Sequence, residues 1–278
     1  MTNKYTDKDL EFLRLNYPDY GPKYCGTVLG RDENNIQTKA KRMGLKKIGV
    51  KKHPSMQKVN PLQFLDIKTK EVAYFLGYFW ADGTISYRKN KTCNNYTIAM
   101  EICAEDATDI SDVVNVLGSW SKVNRKRCES WKETTNINTN SKDIYEFLKE
   151  HDYGDKSFCE PTKILNAIPE QLRHYWWRGY FDGDGSLAYA DFDEGRWKAL
   201  QFSSTYNYAW TELVKLCKDL EIKGFFIQNT ISKKGHKSGK LTIGQIEEIK
   251  KFINFLLKSD IGLRRKTQKL NGFFARFS

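Results

Sequence analysis

The chain has 278 residues, with 46 lysines and arginines against 34 aspartates and glutamates, for a formal net charge of +12 at pH 7. That length serves one large core or two modest ones, and the charge makes an anionic partner the expectation, nucleic acid ahead of a membrane surface. No apolar stretch approaches the ~18 residues of a membrane span. The N-terminus lacks a signal peptide's apolar region, and the six cysteines and four histidines contain no CxxC pair, which argues against structural zinc or a disulfide framework and for reduced, packed thiols.

Thr6 precedes a helical pattern in which Leu10 and Phe12 to Leu15 supply apolar contacts, and its hydroxyl suits an N-cap. A second short helix fits Pro22 to Leu29, with proline in the first turn. Gly30-Arg31-Asp32 reads as a turn, and a third helix, Glu33 to Met43, puts Ile36, Ala40 and Met43 on one face. Three short helices with a basic, amide-rich last one suggest a small all-α helix-turn-helix domain over residues 1–47. The segment YTDKDLEFLRLNYPDYGPKYCGTVLGRDENNIQTKAKRMGLK is similar to the helix-turn-helix domains found at the N-terminus of phage-type nucleases. Asn35, Thr38, Lys39 and Arg42 are its candidate DNA contacts, because amides pair with adenine edges while lysine and arginine reach guanine or phosphate. Residues 1–60 carry 13 lysines and arginines against 6 aspartates and glutamates; the plainer alternative is a three-helix knob with a solvated charged face. Lys46 to Asn60 has five lysines, Gly49 and Pro54 without periodicity, so residues 48–60 read as a basic linker.

The chain then writes one phrase twice. Phe75 to Gly83 reads FLGYFWADG and Trp177 to Gly185 reads WRGYFDGDG, superposing Gly77 on Gly179, Tyr78 on Tyr180, Phe79 on Phe181, Asp82 on Asp184 and Gly83 on Gly185 without a gap. An apolar, aromatic run at helical spacing leads into each copy, and glycine is the usual helix stop, so each phrase reads as a helix carrying an aspartate in its last turn. A carboxylate there faces the negative end of the macrodipole. Gly77 with Ala81, and Gly179 with Gly183, lie four apart on one face, where small residues let backbones approach. Helices paired through those faces bring Asp82 and Asp184 together. Two like charges about 4 Å apart repel by roughly 4 kcal/mol at an effective dielectric near 20. A divalent cation held by carboxylates and water is the economical remedy.

These residues carry a resemblance. FLGYFWADG and WRGYFDGDG look like the two signature motifs of a single-chain LAGLIDADG homing endonuclease, and the likeness covers roughly Pro61 to Arg276. The first copy departs at Phe75, Leu76 and Trp80, and position six differs between copies (Trp80 against Asp182), which makes Asp182 a weaker catalytic candidate than Asp184. The resemblance implies that the motif helices form the interface of two pseudo-symmetric halves, 61–166 and 167–278. It implies that Asp82 and Asp184 bind catalytic Mg²⁺, joined by the backbone carbonyls of Ala81 and Gly183. It also implies a lysine near each scissile phosphate. Lys156 lies 74 residues after Asp82 and Lys266 lies 82 after Asp184, each past the last helix of its half, and these are the matching positions.

Between the motifs, Thr84 to Lys89 and Tyr96 to Cys103 read as strands, Asp109 to Leu117 as a helix, Lys122 to Arg127 and Glu133 to Asn140 as strands, and Ser141 to Glu150 as a helix. The second half repeats the order: strands at SLAYADF and KALQFSS, a helix from Ala209 to Leu220, strands at FFIQNTIS and LTIG, and a helix from Ile246 to Leu257. The expected fold is α+β, a pseudo-two-fold duplication of αββαββα with antiparallel saddle sheets. With one sheet face on helices, the other is free. Alternation places there Ser86, Arg88, Lys122, Asn124, Lys126, Thr134, Asn136 and Asn138, and from the second half Tyr189, Arg196, Gln201, Gln228, Thr230, Lys234, Lys237, Lys240 and Thr242. Such a face fits the major groove.

The expected activity is metal-dependent hydrolysis of both strands of double-stranded DNA, by a monomer, at a long asymmetric site. The protein is expected in the cytoplasm, at the nucleoid or in a phage-infected cell, and not secreted. Two other readings stand beside it: a sequence-specific DNA-binding regulator without cleavage, and a maturase binding intron RNA. A plain Met-Thr start and Phe-Ser end give no intein splice signature.

Overall fold

The computed structural model describes residues 5–46, 65, 67–89, 94–116, 121–125, 133–192 and 195–277; the 48–60 stretch and Lys126 lie outside them. The chain divides into two compact units, Met1–Gln57 and Lys58–Ser278.

In the first unit, Thr6 and Asp9 close a capping box: Asp9 N donates to Thr6 Oγ1 at 3.2 Å and Thr6 N to Asp9 Oδ2 at 3.1 Å. Helix α1 (Asp7–Leu29) is broken at Gly21, where φ is 73° and ψ is −175°. Only glycine adopts that conformation readily, and Pro22 follows without an N–H to continue the ladder. The helix expected at Pro22 is therefore the second arm of α1. Asp32 accepts from Asn34 N and Asn35 N to start α2 (Glu33–Arg42). Leu13, Tyr17, Cys25, Ile36 and Ala40 form the small core.

The second unit is built on α3 (Lys70–Asp82) and α7 (Arg173–Asp184), the two motif helices, which pack face to face. A Cβ on Gly77 would stand 1.9 Å from Trp176 O, and one on Gly179 would stand 2.1 Å from Tyr74 O, so these glycines are spaces filled by the opposite backbone. Val72 to Trp80 are all buried, as are Trp176 to Asp182. Each helix leads straight into a strand, β1 (Gly83–Lys89) and β5 (Gly185–Phe192). The glycine at each junction is extended, with φ of −78° and −82°, and not left-handed as a stop glycine would be. Its reason is proximity: a Cβ there would meet the Phe79 ring at 2.3 Å or the Phe181 ring at 2.2 Å.

The first half continues through β2 (Asn94–Cys103), α4 (Ala107–Val116), β3 (Ser121–Arg125), β4 (Thr134–Thr139) and α5 (Lys142–Glu150), with the sheet ordered β1-β2-β4-β3. A short α6 (Thr162–Ala167) and a 3₁₀ turn (Glu170–Leu172), neither expected from sequence, lead to α7. The second half runs β6 (Gly195–Ser204), α8 (Thr211–Asp219), β7 (Phe225–Ile231), β8 (Lys237–Ile243) and α9 (Ile246–Leu256), ordered β5-β6-β8-β7. Every pairing is antiparallel, so the duplicated α+β architecture holds. A final helix, α10 (Arg264–Phe277), was not expected; Leu270, Phe273 and Phe277 anchor it.

The registers correct part of the expected free face. Tyr189 packs edge-on against Phe273 and Phe277, on the face that α10 covers. Arg196 pairs with Asp191, and its side chain lies outside those described. Lys122 pairs with Ile137 and Asn124 with Thr135; the side chains of β3 lie outside those described. Lys237 pairs with Ile231 in the parity of the core residue Leu241 and lies beyond the core at the strand end.

Candidate active site

Asp82 and Asp184 are the last residues of α3 and α7. The small residues beside them set their separation: a Cβ on Gly183 would lie 2.2 Å from Ala81 Cβ and 3.3 Å from Asp82 Oδ2. The two carboxylates feel each other. Burial, then the Asp82 charge, push Asp184 up to about 6, against the pull of Lys156 and Lys266. Burial also raises Asp82, opposed by the same two lysines and by a hydrogen bond from Tyr78. Asp82 is open to solvent on one side, which screens its charge.

Lys156 and Lys266 close the site from opposite halves. Lys156 Nζ donates to Ala81 O at 2.7 Å and reaches Phe79 O at 3.5 Å. Lys266 Nζ donates to Phe181 O at 2.9 Å and to Gly185 O. Each ammonium thus sits on carbonyls at its motif helix's C-terminus, one of which also accepts the N–H of the cap glycine, where the macrodipole favours positive charge. Burial lowers both lysines to about 8 despite the nearby aspartates. Two acids and two ammonium groups within electrostatic reach leave the site near neutrality.

Two cavities flank it. One of about 250 Å³ is lined by Trp80, Lys156, Tyr180 and Asp184, and one of about 470 Å³ by Gly183, Gly185, Arg265 and Lys266. Each offers room for a phosphate beside one lysine. The donors available to a cation are two carboxylates and backbone carbonyls, all hard oxygens. Among the described residues no group of three or more His, Cys, Asp or Glu side chains could hold a metal. A Mg²⁺ ion, which keeps several waters and takes phosphate oxygens, fits a two-carboxylate set of that kind. The Ala81 carbonyl already accepts Lys156, which leaves it one lone pair for a cation.

The fold has solved counterparts. Over 73% of this chain and 88% of the other, it is similar to the meganuclease I-SmaMI bound to uncleaveable DNA, with a TM-score of 0.51 and 15% identity. It is likewise similar to I-DmoI in complex with DNA and Ca, over 73% of this chain and 97% of that one, with a TM-score of 0.50 and 17% identity. The fold is that of the LAGLIDADG homing endonucleases. No protein-family model matches the sequence, and no curated protein matches it.

On this LAGLIDADG frame, the face of each sheet away from the motif helices carries several of the other sequence-predicted residues. Arg88 is exposed at the end of β1. Asn136 pairs with Glu101 and Asn138 with Ala99, and Asn138 Nδ2 donates to Asn136 Oδ1 at 2.8 Å. Gln201 pairs with Thr242 and donates to its hydroxyl at 3.2 Å. Gln228 pairs with Lys240 and Thr230 with Ser238, while Lys234 is exposed in the turn that follows. In the first unit Asn35, Thr38 and Arg42 are exposed on α2, and Lys39 leans over the Tyr5 ring at 5.3 Å.

Sequence reasoning missed the shell behind the site. Asp106, buried, takes both arms of Arg265 at 2.7 Å, which ties α4 of the first half to the residue beside Lys266. Tyr78 stands beside Asp82, and its counterpart Tyr180 beside Ser204. The tyrosines were within reach, since the gap-free repeat keeps Tyr as faithfully as Asp-Gly. Asp182 is no catalytic acid: it is fully buried against Arg178.

Proposed function

We propose that the chain is a site-specific, metal-dependent DNA endonuclease that cuts both strands as a monomer. The observation that carries the reading is the convergence of Asp82 and Asp184 from two pseudo-symmetric helix ends with one lysine from each half. Bound Mg²⁺ would supply an activated water and relieve charge on the phosphate and leaving oxygen. The chain's own residues do the rest. Asp82 and Asp184, with the Ala81 and Gly183 carbonyls, hold the cation. Lys156 and Lys266, with protonated forms favoured at neutral pH, place positive charge at the two flanking cavities and bind a phosphate in each. A monomer suffices because one chain carries both half-sites.

Arg88, Asn136, Asn138, Gln201, Gln228, Thr230, Lys234 and Lys240 would contact a long non-palindromic duplex, read in the major groove by the amides and at phosphates by the cations. The exposed Asn35, Thr38 and Arg42 of α2, with Lys39, add a separate duplex-binding unit of helix-turn-helix type. The test is cleavage of a target duplex recovered from a randomised library. Asp82→Asn and Asp184→Asn should each lower double-strand cutting by about 100-fold or more while leaving metal-free binding intact. Full activity from both variants would end the proposal.

A further inference from the structure

The two lysines occupy matching places but are held there by different chemistry. Three residues before Lys156 stands Tyr153; three before Lys266 stands Leu263. The chain around each lysine anchors to the same two positions of its motif helix. In the first half those positions are Leu76 and Trp80: Tyr153 Oη donates to Leu76 O at 2.9 Å, and its ring meets Trp80 edge-on at 5.0 Å. In the second half they are Arg178 and Asp182, both about 1% exposed. Leu263 N donates to Asp182 Oδ2 at 2.9 Å, Tyr74 Oη donates to the same oxygen at 2.8 Å, and Arg178 Nε lies 3.1 Å from both carboxylate oxygens. Arg178 also donates to Thr267, the residue after Lys266. Gly262 is shaped to this pair, since a Cβ there would stand 2.1 Å from the Arg178 guanidinium.

Asp182 therefore joins three things: the opposite motif helix through Tyr74, its own helix through Arg178, and the chain leading into α10 through Leu263. Its bonds to Arg178 and Leu263 bracket Lys266 on both sides. The counterpart around Lys156 contains no buried charge at either helix position.

We propose that Asp182, acting through Arg178, is a positioning residue for Lys266 alone, so that the two strand cuts are separable by residues that touch neither metal nor DNA. This rests on the endonuclease reading above. Losing the carboxylate frees the start of α10, and Lys266 leaves its carbonyl seat while Lys156 stays in place. Changing Tyr153 acts on Lys156 and spares Lys266.

The experiment follows each strand of an end-labelled target duplex separately, beside hydrogen exchange resolved by peptide. Asp182→Asn should slow one strand by about tenfold or more, keep the other within about twofold, and leave duplex affinity unchanged. Tyr153→Phe should slow the opposite strand. Thr267→Val, which cuts the Arg178 bond without disturbing the ion pair, should repeat the Asp182→Asn selectivity more weakly, and it decides the matter if Asp182→Asn does not fold. Exchange over residues 259–268 should quicken in the Asp182 and Thr267 variants while 153–160 stays protected. Equal slowing of both strands, or no slowing of either, overturns the proposal. If the wild-type protein cuts neither strand, the endonuclease reading fails, and the exchange pattern still decides the positioning role: unchanged protection over 259–268 overturns it.

Discussion

At Asp184 two effects act in one direction, since burial and the neighbouring Asp82 charge both disfavour the ionised form and hold the group at about 6. A carboxyl whose folded pKa lies above its unfolded value of 3.8 binds more protons folded than unfolded between those limits. In the metal-free protein this group therefore lowers stability as pH rises from about 4 to 6. A bound cation reverses the balance, because only the ionised form is a ligand. Calorimetric titration with Ca²⁺ should show affinity falling by up to about tenfold per pH unit below about 6 and levelling above it. Asp184→Asn should remove its share of the pH dependence, leaving the part that Asp82 carries, and raise the metal-free Tm at neutral pH. A flat affinity profile across this range would mean that Asp184 does not hold the cation.

At the level of elements, the close approach of α3 and α7 makes a sharp demand of two glycines. An added methyl on Gly77 or Gly179 meets backbone atoms at about 2 Å, not a side chain that can turn aside. The helices would have to part, and overpacking of this kind costs about 3 kcal/mol. For a unit of this size that is a fall in Tm of roughly 6–12 °C. Calorimetry of Gly77→Ala and Gly179→Ala checks it, and an unchanged Tm would show the helix contact to be looser than drawn. This contact was legible in the sequence because the repeat exposed it: small residues four apart, written twice, have few other uses. The strands were legible for the same reason wherever their own alternation was strong, as in Ile98, Met100 and Ile102. Strand β3 was expected too, but no alternation could fix its register, because Val123 is its one apolar residue and β4 sets the pairing. Helix α10 escaped because a run of basic residues opens it and Gly272 interrupts it, leaving three well-spaced apolar anchors. Missing that helix made Tyr189 look free when α10 covers it. Asp106 and Arg265 lie 159 residues apart, and no local pattern announces such a pair.

Across the whole molecule, positive charge is unevenly shared. Residues 1–60 hold seven of the twelve net charges in about a fifth of the chain, whereas the candidate active site is close to neutral. On the proposed function, electrostatic affinity for DNA would concentrate in the first unit and cutting chemistry in the second. Each phosphate neutralised contributes about 0.9 to the slope of log affinity against log salt. Removing residues 1–57, the first compact unit, should weaken duplex binding and make that slope shallower by about 2–3. The position of the cut, fixed by the sheets and the motif aspartates, should not move. Fluorescence anisotropy over a salt series and end-labelled cleavage of the same target measure the two halves of this expectation. A shifted cut would assign site choice to α2. An unchanged slope would show that the first unit's charges never meet the phosphates, leaving duplex recognition to the two sheets alone.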